Sequence, residues 1–282
     1  MEKLISVLTP TYNRANKLHR VYYSIKKQTL KKVDEKYIFK WVIVDDGSSD
    51  NTKELVEKWQ KEVDWEIIYV YQENKGKPWA IAKGLEYIDT ELTLIADSDD
   101  EFLPESFETF YNVWKNFLKK EKRCNEIGVL CQNQFGKRMG CNFPKEGFVS
   151  KEEFGMKWKS LNLGETWSMI KSEALKKVFL NVPKRAKKLK FIPESFFWDR
   201  MVFEVGGYVY SVNKVLRIYY VKEENNMSAN IRKKYPEGFF FESKYFITHY
   251  PFALFKYPKI YFKHLLKTIY FGLILIKRRL YG

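Results

Sequence analysis

The chain reads as an α/β protein, a mainly parallel sheet flanked by helices and followed by a helical, basic C-terminal appendage. Three observations carry that reading. Short apolar runs alternate with amphipathic stretches through the first hundred residues. Polar clusters follow the apolar runs directly, as at strand ends that open onto a ligand site. From about residue 235 the composition turns aromatic and basic, as in FKYPKIYFKHLLKTIYFGLILIKRRLYG.

Taken in order, residues 4–9 form the first expected strand, 16–28 a helix, and 41–44 a second strand ending at Asp45. The turn residues of DDGSSDNT then lead into a helix over 52–61. A third strand over 67–71 leads to QENKGKP, a helix over about 79–87 and a fourth strand over 92–96. Repetition of this kind predicts parallel strands with ligands at their carboxyl ends. The polar clusters 9–14, 45–49, 72–77 and 97–100 should therefore converge on one edge. Beyond them, 104–120 reads as a helix, 127–149 as strands and turns, 172–180 and 195–205 as helices, and 208–220 as a strand.

With 282 residues, 45% apolar and 17% aromatic, the chain can bury a substantial core, which excludes a disordered protein. Lys and Arg number 50 against 35 acidic residues, a net charge of +15 that favours an anionic partner: nucleotide phosphate, nucleic acid or an acidic membrane surface. RNP-like, zinc-finger and basic-zipper signatures are absent, so charge alone speaks for nucleic acid. Cys124, Cys131 and Cys141 are odd in number and lack zinc-site spacing, which fits a reducing compartment. The N-terminal MEKLISVLTPTYNR has no secretory pattern, and no apolar run reaches the roughly 18 to 20 residues that span a bilayer. The expected location is cytoplasmic, or peripheral on the inner face of the cell membrane.

In the stretch LTLIADSDDEFLPES four carboxylates, Asp97, Asp99, Asp100 and Glu101, crowd directly after a buried strand. Like charges so close repel, and burying one unpaired is costly. A metal ion, Lys or Arg side chains, or water must offset them. The plain alternative is an acidic turn capping the helix after Pro104.

ISVLTPTYNR, VIVDDGSSDNT, ENKGKPWAIAKGL and IADSDDEFLP occur in an order and spacing that resembles the family 2 glycosyltransferases of GT-A fold. The resemblance is strong over 4–110 and loose over 160–230. It implies inverting transfer of a hexosyl or N-acetylhexosaminyl group from a nucleotide-sugar donor, UDP-linked, to a carbohydrate or lipid-linked saccharide acceptor, as in bacterial surface polysaccharide assembly. It also implies Mn²⁺ or Mg²⁺ at the D-x-D motif, with Asp99 as direct ligand, Asp97 contacting ribose or the metal shell, and Asp100 in support.

The same resemblance assigns the donor pocket to Pro10, Thr11, Tyr12, Arg14, Asp45, Asn74, Gly76, Lys77, Asp97 and Ser98. Asp45 has a rival reading as a helix cap, and that reading is preferred for Asp46 and Ser49. Lys75 or Lys77 offsets phosphate charge or lies in a solvated loop. The family pattern N-x-G-x-x-x-A-x-N-x-G is kept at Asn74, Gly76, Ala80 and Gly84, while Ala82 replaces its second Asn. In FIPESFFWDRMVFEVGGY the base that takes the acceptor's proton is Glu194 or Asp199, with Glu194 preferred. Trp167 and Tyr219 are candidates for an acceptor cleft, and Arg217 meets an acceptor phosphate or, the preferred reading, is an exposed strand residue. His19, His249 and His264 are scattered and belong to no catalytic signature.

By this reading residues 1–234 form the GT-A domain, with a nucleotide-sugar half over 1–110 and an acceptor half over 111–234, and 235–282 form the tail. A helix over 258–281 aligns Tyr261, Leu265, Thr268, Phe271 and Leu275, with Lys263, Lys267, Lys277, Arg278 and Arg279 around them. It lies on an anionic bilayer, packs on the catalytic domain, or forms a homo-oligomer interface. The competing function is a non-catalytic membrane- or nucleic-acid-binding protein built on a degenerate glycosyltransferase domain.

Overall fold

The computed structural model describes residues 3–158, 164–221 and 228–281. Part of the loosely matching stretch, residues 160–163 and 222–227, lies outside them. The chain divides into two compact units, Met1–Leu180 with Gly206–Lys222, and Asn181–Val205 with Glu223–Gly282. Residues 181–205, assigned above to the acceptor half, thus group with the tail.

In the first unit β1 (Ile5–Thr11) is followed by α1 (Ala15–Lys26), a small hairpin of β2 (Lys32–Val33) and β3 (Lys36–Tyr37), β4 (Phe39–Asp45), α2 (Thr52–Glu62), β5 (Ile67–Tyr71), α3 (Lys77–Leu85) and β6 (Leu92–Ile95). Then come β7 (Glu101–Phe102), α4 (Ser106–Val113) continued by a π-type turn over Trp114–Leu118, β8 (Cys124–Asn133), β9 (Gly147–Ser150), β10 (Thr166–Lys171), α5 (Ser172–Phe179) and, after the chain returns, β11 (Tyr208–Tyr219). One sheet runs β5-β4-β1-β6-β10-β8-β11-β7, with β9 on β11. The pairs β5/β4, β4/β1 and β1/β6 are parallel, whereas β10 is antiparallel to both its neighbours. The parallel character expected of the whole sheet belongs to its first half; the second half is mixed, because β10 enters from the opposite direction.

Every residue of β1 and β4 is buried, which is why these strands read as continuous apolar runs instead of alternating ones. Leu18, Val21, Tyr22 and Ile25 recur at helical spacing on α1 and cover one sheet face. Tyr22 stacks on Trp59 of α2 with centroids 4.4 Å apart, and Trp41 of β4 lies 5.7 Å from Trp59. On α3, a Cβ at Gly84 would fall 2.2 Å from Leu8 Cδ1 and 2.9 Å from Val44 Cγ2. Glycine here lets the helix approach β1 and β4 closely, which brings its N-terminus to the strand ends.

In the second unit α6 (Lys184–Lys187), α7 (Ser195–Arg200) with a π-type turn over Met201–Val205, α8 (Ser228–Lys234), α9 (Pro236–His249), α10 (Ala253–Lys256) and α11 (Pro258–Tyr281) form a helical cluster. Proline opens both α9 and α11, where its missing N–H costs nothing. Phe271 of α11 stacks on Phe239 of α9 at 5.2 Å, and His264 stacks on Phe246 at 4.0 Å. The face of α11 read from the sequence as its apolar one therefore includes Phe271, which is spent on packing against α9. No described helix is long and apolar enough to cross a membrane.

Candidate functional site

Strand register sets the site. Thr11 at the end of β1 lies beside Asp45 at the end of β4, which lies beside Tyr71 at the end of β5, while Leu8 pairs with Ile95 just before the acidic turn. The four polar clusters thus leave the sheet along one edge, as the strand-helix alternation predicts.

The acidic turn is neutralised by three cations from three other segments. Arg14 pairs with Asp99. Lys77, at the start of α3, reaches Asp97 at 2.7 Å. Arg217 of β11 sits 2.6 Å from Asp100 and 3.6 Å from Asp97. The fourth carboxylate, Glu101, accepts a 2.6 Å hydrogen bond from the Tyr220 hydroxyl, whose ring lies 3.6 Å from the Arg20 guanidinium. The turn also holds itself: the Asp97 N–H donates to Asp100 Oδ2 at 3.0 Å and the Asp100 N–H to the Asp97 carbonyl at 2.9 Å. Side-chain cations therefore answer the repulsion, and the expected exposed position of Arg217 is corrected, since this residue is only 7% exposed. A guanidinium can stay buried in a strand because two carboxylates face it.

Accessibility separates the aspartates. Asp97 and Asp99 keep 30% of their side chains exposed, while Asp100 and Ser98 are buried. Burial pushes the Asp100 carboxyl up to about 7 against the pull of Arg217, with repulsion from Asp97 adding to the rise. For Asp97 burial also opposes ionisation, but Lys77 and Arg217 overcome it and hold the carboxyl below its ordinary range. Arg217 is driven the other way: burial disfavours its charge, and Asp100 and Asp97 restore it with a surplus. Asp97 and Asp99 thus offer hard oxygen ligands, two residues apart in the turn after β6 and partly exposed, a donor set that fits Mg²⁺ or Mn²⁺.

Around this turn, Asp45 is buried and accepts from the Ser48 N–H at 2.8 Å and the Tyr69 hydroxyl at 2.7 Å. Burial and this bond to Asp45 push the Tyr69 hydroxyl well above its usual range. Asp45 closes its own turn and does not cap α2, where Asp50 Oδ1 accepts from the Thr52 N–H. Asp46 is no helix cap either. Its Oδ1 accepts from Gln72 Nε2 at 2.6 Å and the Lys75 N–H at 2.9 Å, and its Oδ2 from the Gly76 N–H at 2.7 Å. One buried carboxylate thereby fixes the loop that presents Asn74, Gly76 and Lys77. Gly76 stands at φ +92, a left-handed backbone that glycine adopts without strain. The Ser49 N–H donates to Asn13 Oδ1 and the Asn13 N–H to Ser48 Oγ, which lock the TPTYNR loop to the DDGSS loop. Pro10 and Thr11 are buried there, and Tyr12 stands 43% exposed. Trp167 is buried and donates its Nε1–H to the Ile95 carbonyl at 2.8 Å, so it belongs to the core and not to a cleft.

In Asp46→Ala the loop amides lose their acceptor. We expect a loss of about 1–3 kcal/mol in unfolding free energy, together with weaker nucleotide binding, and Asp46→Asn to retain part of both. Denaturation and nucleotide titration of the two variants check this; unchanged nucleotide affinity in Asp46→Ala would sink the loop-positioning role.

The proposed bases lie in the second unit. Glu194 precedes α7 and is half-buried. Asp199 is buried with Glu242 and His264, one ligand atom of each lying within 4.8 Å of the others. Glu242 there accepts from Ser195 Oγ at 2.9 Å and from Lys267 Nζ at 3.1 Å. Arg200, next to Asp199 in the chain, forks onto Glu204.

Sequence reasoning missed Asp46 and Tyr220 as parts of the site, and for Arg217 it missed the pairing with Asp97 and Asp100. For Arg217 a signal existed, a single charge inside the apolar run VLRIYY. For Asp46 there was none, because its partners are backbone amides.

Residues 6–119 match the family model "Glycosyl transferase family 2". The fold is that of the GT-A glycosyltransferases: the S. aureus protein TarS, residues 1–349 in complex with UDP-GlcNAc, superposes with a TM-score of 0.64 at 19% identity over 86% of this chain and 66% of that one. A mannosyltransferase from Pyrobaculum calidifontis in complex with GDP-Man and Mn²⁺ has a TM-score of 0.57 at 17% identity, covering 86% of this chain and 64% of its own. In sequence, the GalNAc(5)-diNAcBac-PP-undecaprenol beta-1,3-glucosyltransferase of Campylobacter jejuni is 27% identical over 225 residues, 76% of this chain and 65% of that protein. The chain spans less than two thirds of the length of these curated relatives. The likeness to that family model is confined to residues 6–119 of the 282.

Proposed function

We propose that the protein is an inverting glycosyltransferase that moves a hexosyl or N-acetylhexosaminyl group from a UDP-linked donor to a hydroxyl of a lipid-linked or polysaccharide acceptor. The observation that carries this reading is the convergence of the four motifs on one sheet edge, around two partly exposed aspartates paired with Arg14 and Lys77. Thr11 and Asp45 border the nucleoside, and the loop held by Asp46 lies toward the diphosphate. Asp99, with Asp97, would hold Mn²⁺ or Mg²⁺, which neutralises charge on the departing diphosphate. Lys77 and Arg14 supply further positive charge on the same side. The Campylobacter relative's undecaprenol-linked substrate supports the acceptor class, and the UDP-GlcNAc complex of TarS supports the donor class.

Inverting transfer needs a base for the acceptor's proton. Glu194 is that base in this reading, because it stands half-buried at the mouth of α7 while Asp199 is enclosed among side chains. Glu194→Gln should leave nucleotide affinity intact and slow transfer by roughly 10²-fold or more, with a smaller effect in Asp199→Asn. The test of the function itself is a screen of nucleotide sugars for Mn²⁺-dependent hydrolysis and thermal stabilisation. Stabilisation by no nucleotide sugar, with or without Mn²⁺, would overturn the assignment.

A further inference from the structure

On α11 the residues left in solvent form a second apolar face. Phe262, Leu266, Ile269, Leu273, Ile276 and Leu280 are 51–69% exposed. Their spacing of four and three residues aligns them in one stripe along a helix of 24 residues, about 36 Å in length. Packing on α9 uses a different face, through His264 and Phe271, so the stripe is surplus to the fold of the second unit. An apolar strip of this length on a monomer calls for an occupant.

Charge decides which. The sequence from Pro258 to Gly282 contains Lys259, Lys263, Lys267, Lys277, Arg278 and Arg279 and not one acidic residue. Lys267 pairs with Glu242 and Arg278 with Glu237, while Lys259, Lys263, Lys277 and Arg279 are exposed. Lys263, Lys277 and Arg279 flank the stripe at the positions that face a partner helix in a two-stranded coil. A second copy would set these cations against themselves in either orientation, which disfavours self-association. A surface of anionic phospholipid offers the complement: apolar depth for the stripe and phosphates for its basic margin.

We propose that α11 lies in the plane of an anionic lipid surface, with the stripe inserted and Lys259, Lys263, Lys277 and Arg279 at the headgroups. This docking is independent of sugar transfer, and its test reads no activity. The full chain is sedimented with vesicles of phosphatidylcholine alone and of phosphatidylcholine with phosphatidylglycerol. Binding is expected to the second kind and to be at least tenfold weaker to the first. Leu266→Glu/Leu273→Glu changes two exposed positions and should lower partitioning by about 100-fold. Lys263→Ala/Lys277→Ala/Arg279→Ala should lower it by a similar factor, and circular dichroism should show unchanged helix content in both. Four results would overturn the proposal. The first is equal binding to both vesicle types. The second is binding indifferent to the stripe and abolished by salt, which marks a contact through charge alone. The third is no vesicle binding by a folded wild-type chain. The last is a wild-type dimer, silent toward vesicles, that Leu266→Glu/Leu273→Glu converts to monomer, which would assign the stripe to a second copy.

Discussion

Asp99→Ala is expected to remove the metal dependence of nucleotide binding and to lower transfer on the order of 10³-fold. Two facts single Asp99 out among the four clustered carboxylates. It keeps 30% of its side chain in solvent, whereas Asp100 is buried against Arg217, and Asp97, equally exposed, is also faced by that buried guanidinium. Its partner, Arg14, comes from the loop after β1 and is itself 31% exposed, so an entering cation competes with a solvent-screened pair and not with an enclosed one. Calorimetry of UDP binding measures this directly. Wild type should bind more tightly with Mn²⁺ than with EDTA, and the variant should bind equally and weakly in both. Equal wild-type affinity in the two conditions would show that the aspartates serve the ionic network alone.

The second large effect is on stability. Arg217→Ala takes the partner from Asp100 and one of two partners from Asp97, and breaking a buried pair this way costs about 3–5 kcal/mol. The loss should depend on pH with a definite sign. Arg217 lowers both carboxyls, so its removal raises both. A carboxyl raised in the folded state contributes stability that is complete below its ordinary value and is lost as pH climbs through the folded one. Because Asp100 stands at about 7 even with Arg217 in place, the deficit should widen between pH 5 and pH 8. Urea denaturation of variant and wild type at the two pH values tests the point; a deficit that shrinks with rising pH would contradict it.

What the sequence discloses and what it hides follow from how local each cause is. The alternation of buried runs and amphipathic helices is local, so β1, β4, β5, β6 and the helices between them are legible, as is the convergence of their carboxyl ends. The 24-residue α11 is legible for the same reason, from Pro258 to the basic end. The face it buries is not. Tyr261, Leu265, Thr268, Phe271 and Leu275 share a helical spacing as good as that of the exposed stripe, and only contact with Phe239 and Phe246 tells them apart. Likewise the cations that neutralise the acidic turn come from β11, the start of α3 and the loop after β1. That pairing between distant segments is set by sheet order, which no local pattern encodes. Asp46 was misread because Asp before a helix is so often a cap; here the demand came from the amides of Lys75 and Gly76.

The place of β10 bears on how the molecule comes into being. Leu92–Ile95 and Cys124–Asn133 do not touch as neighbours in the sheet, because Thr166–Lys171 runs between them, antiparallel to both. As the chain leaves the ribosome, the parallel half emerges whole while one flank of β6 still has unpaired amides and carbonyls. It stays so until some seventy more residues have been made, a long interval for a bare strand edge at synthesis rates of about 5–20 residues per second. The acidic turn follows that strand immediately. Two of its three cations, Arg14 and Lys77, are already made by then, while Arg217 arrives only with β11, after β10 has covered that edge.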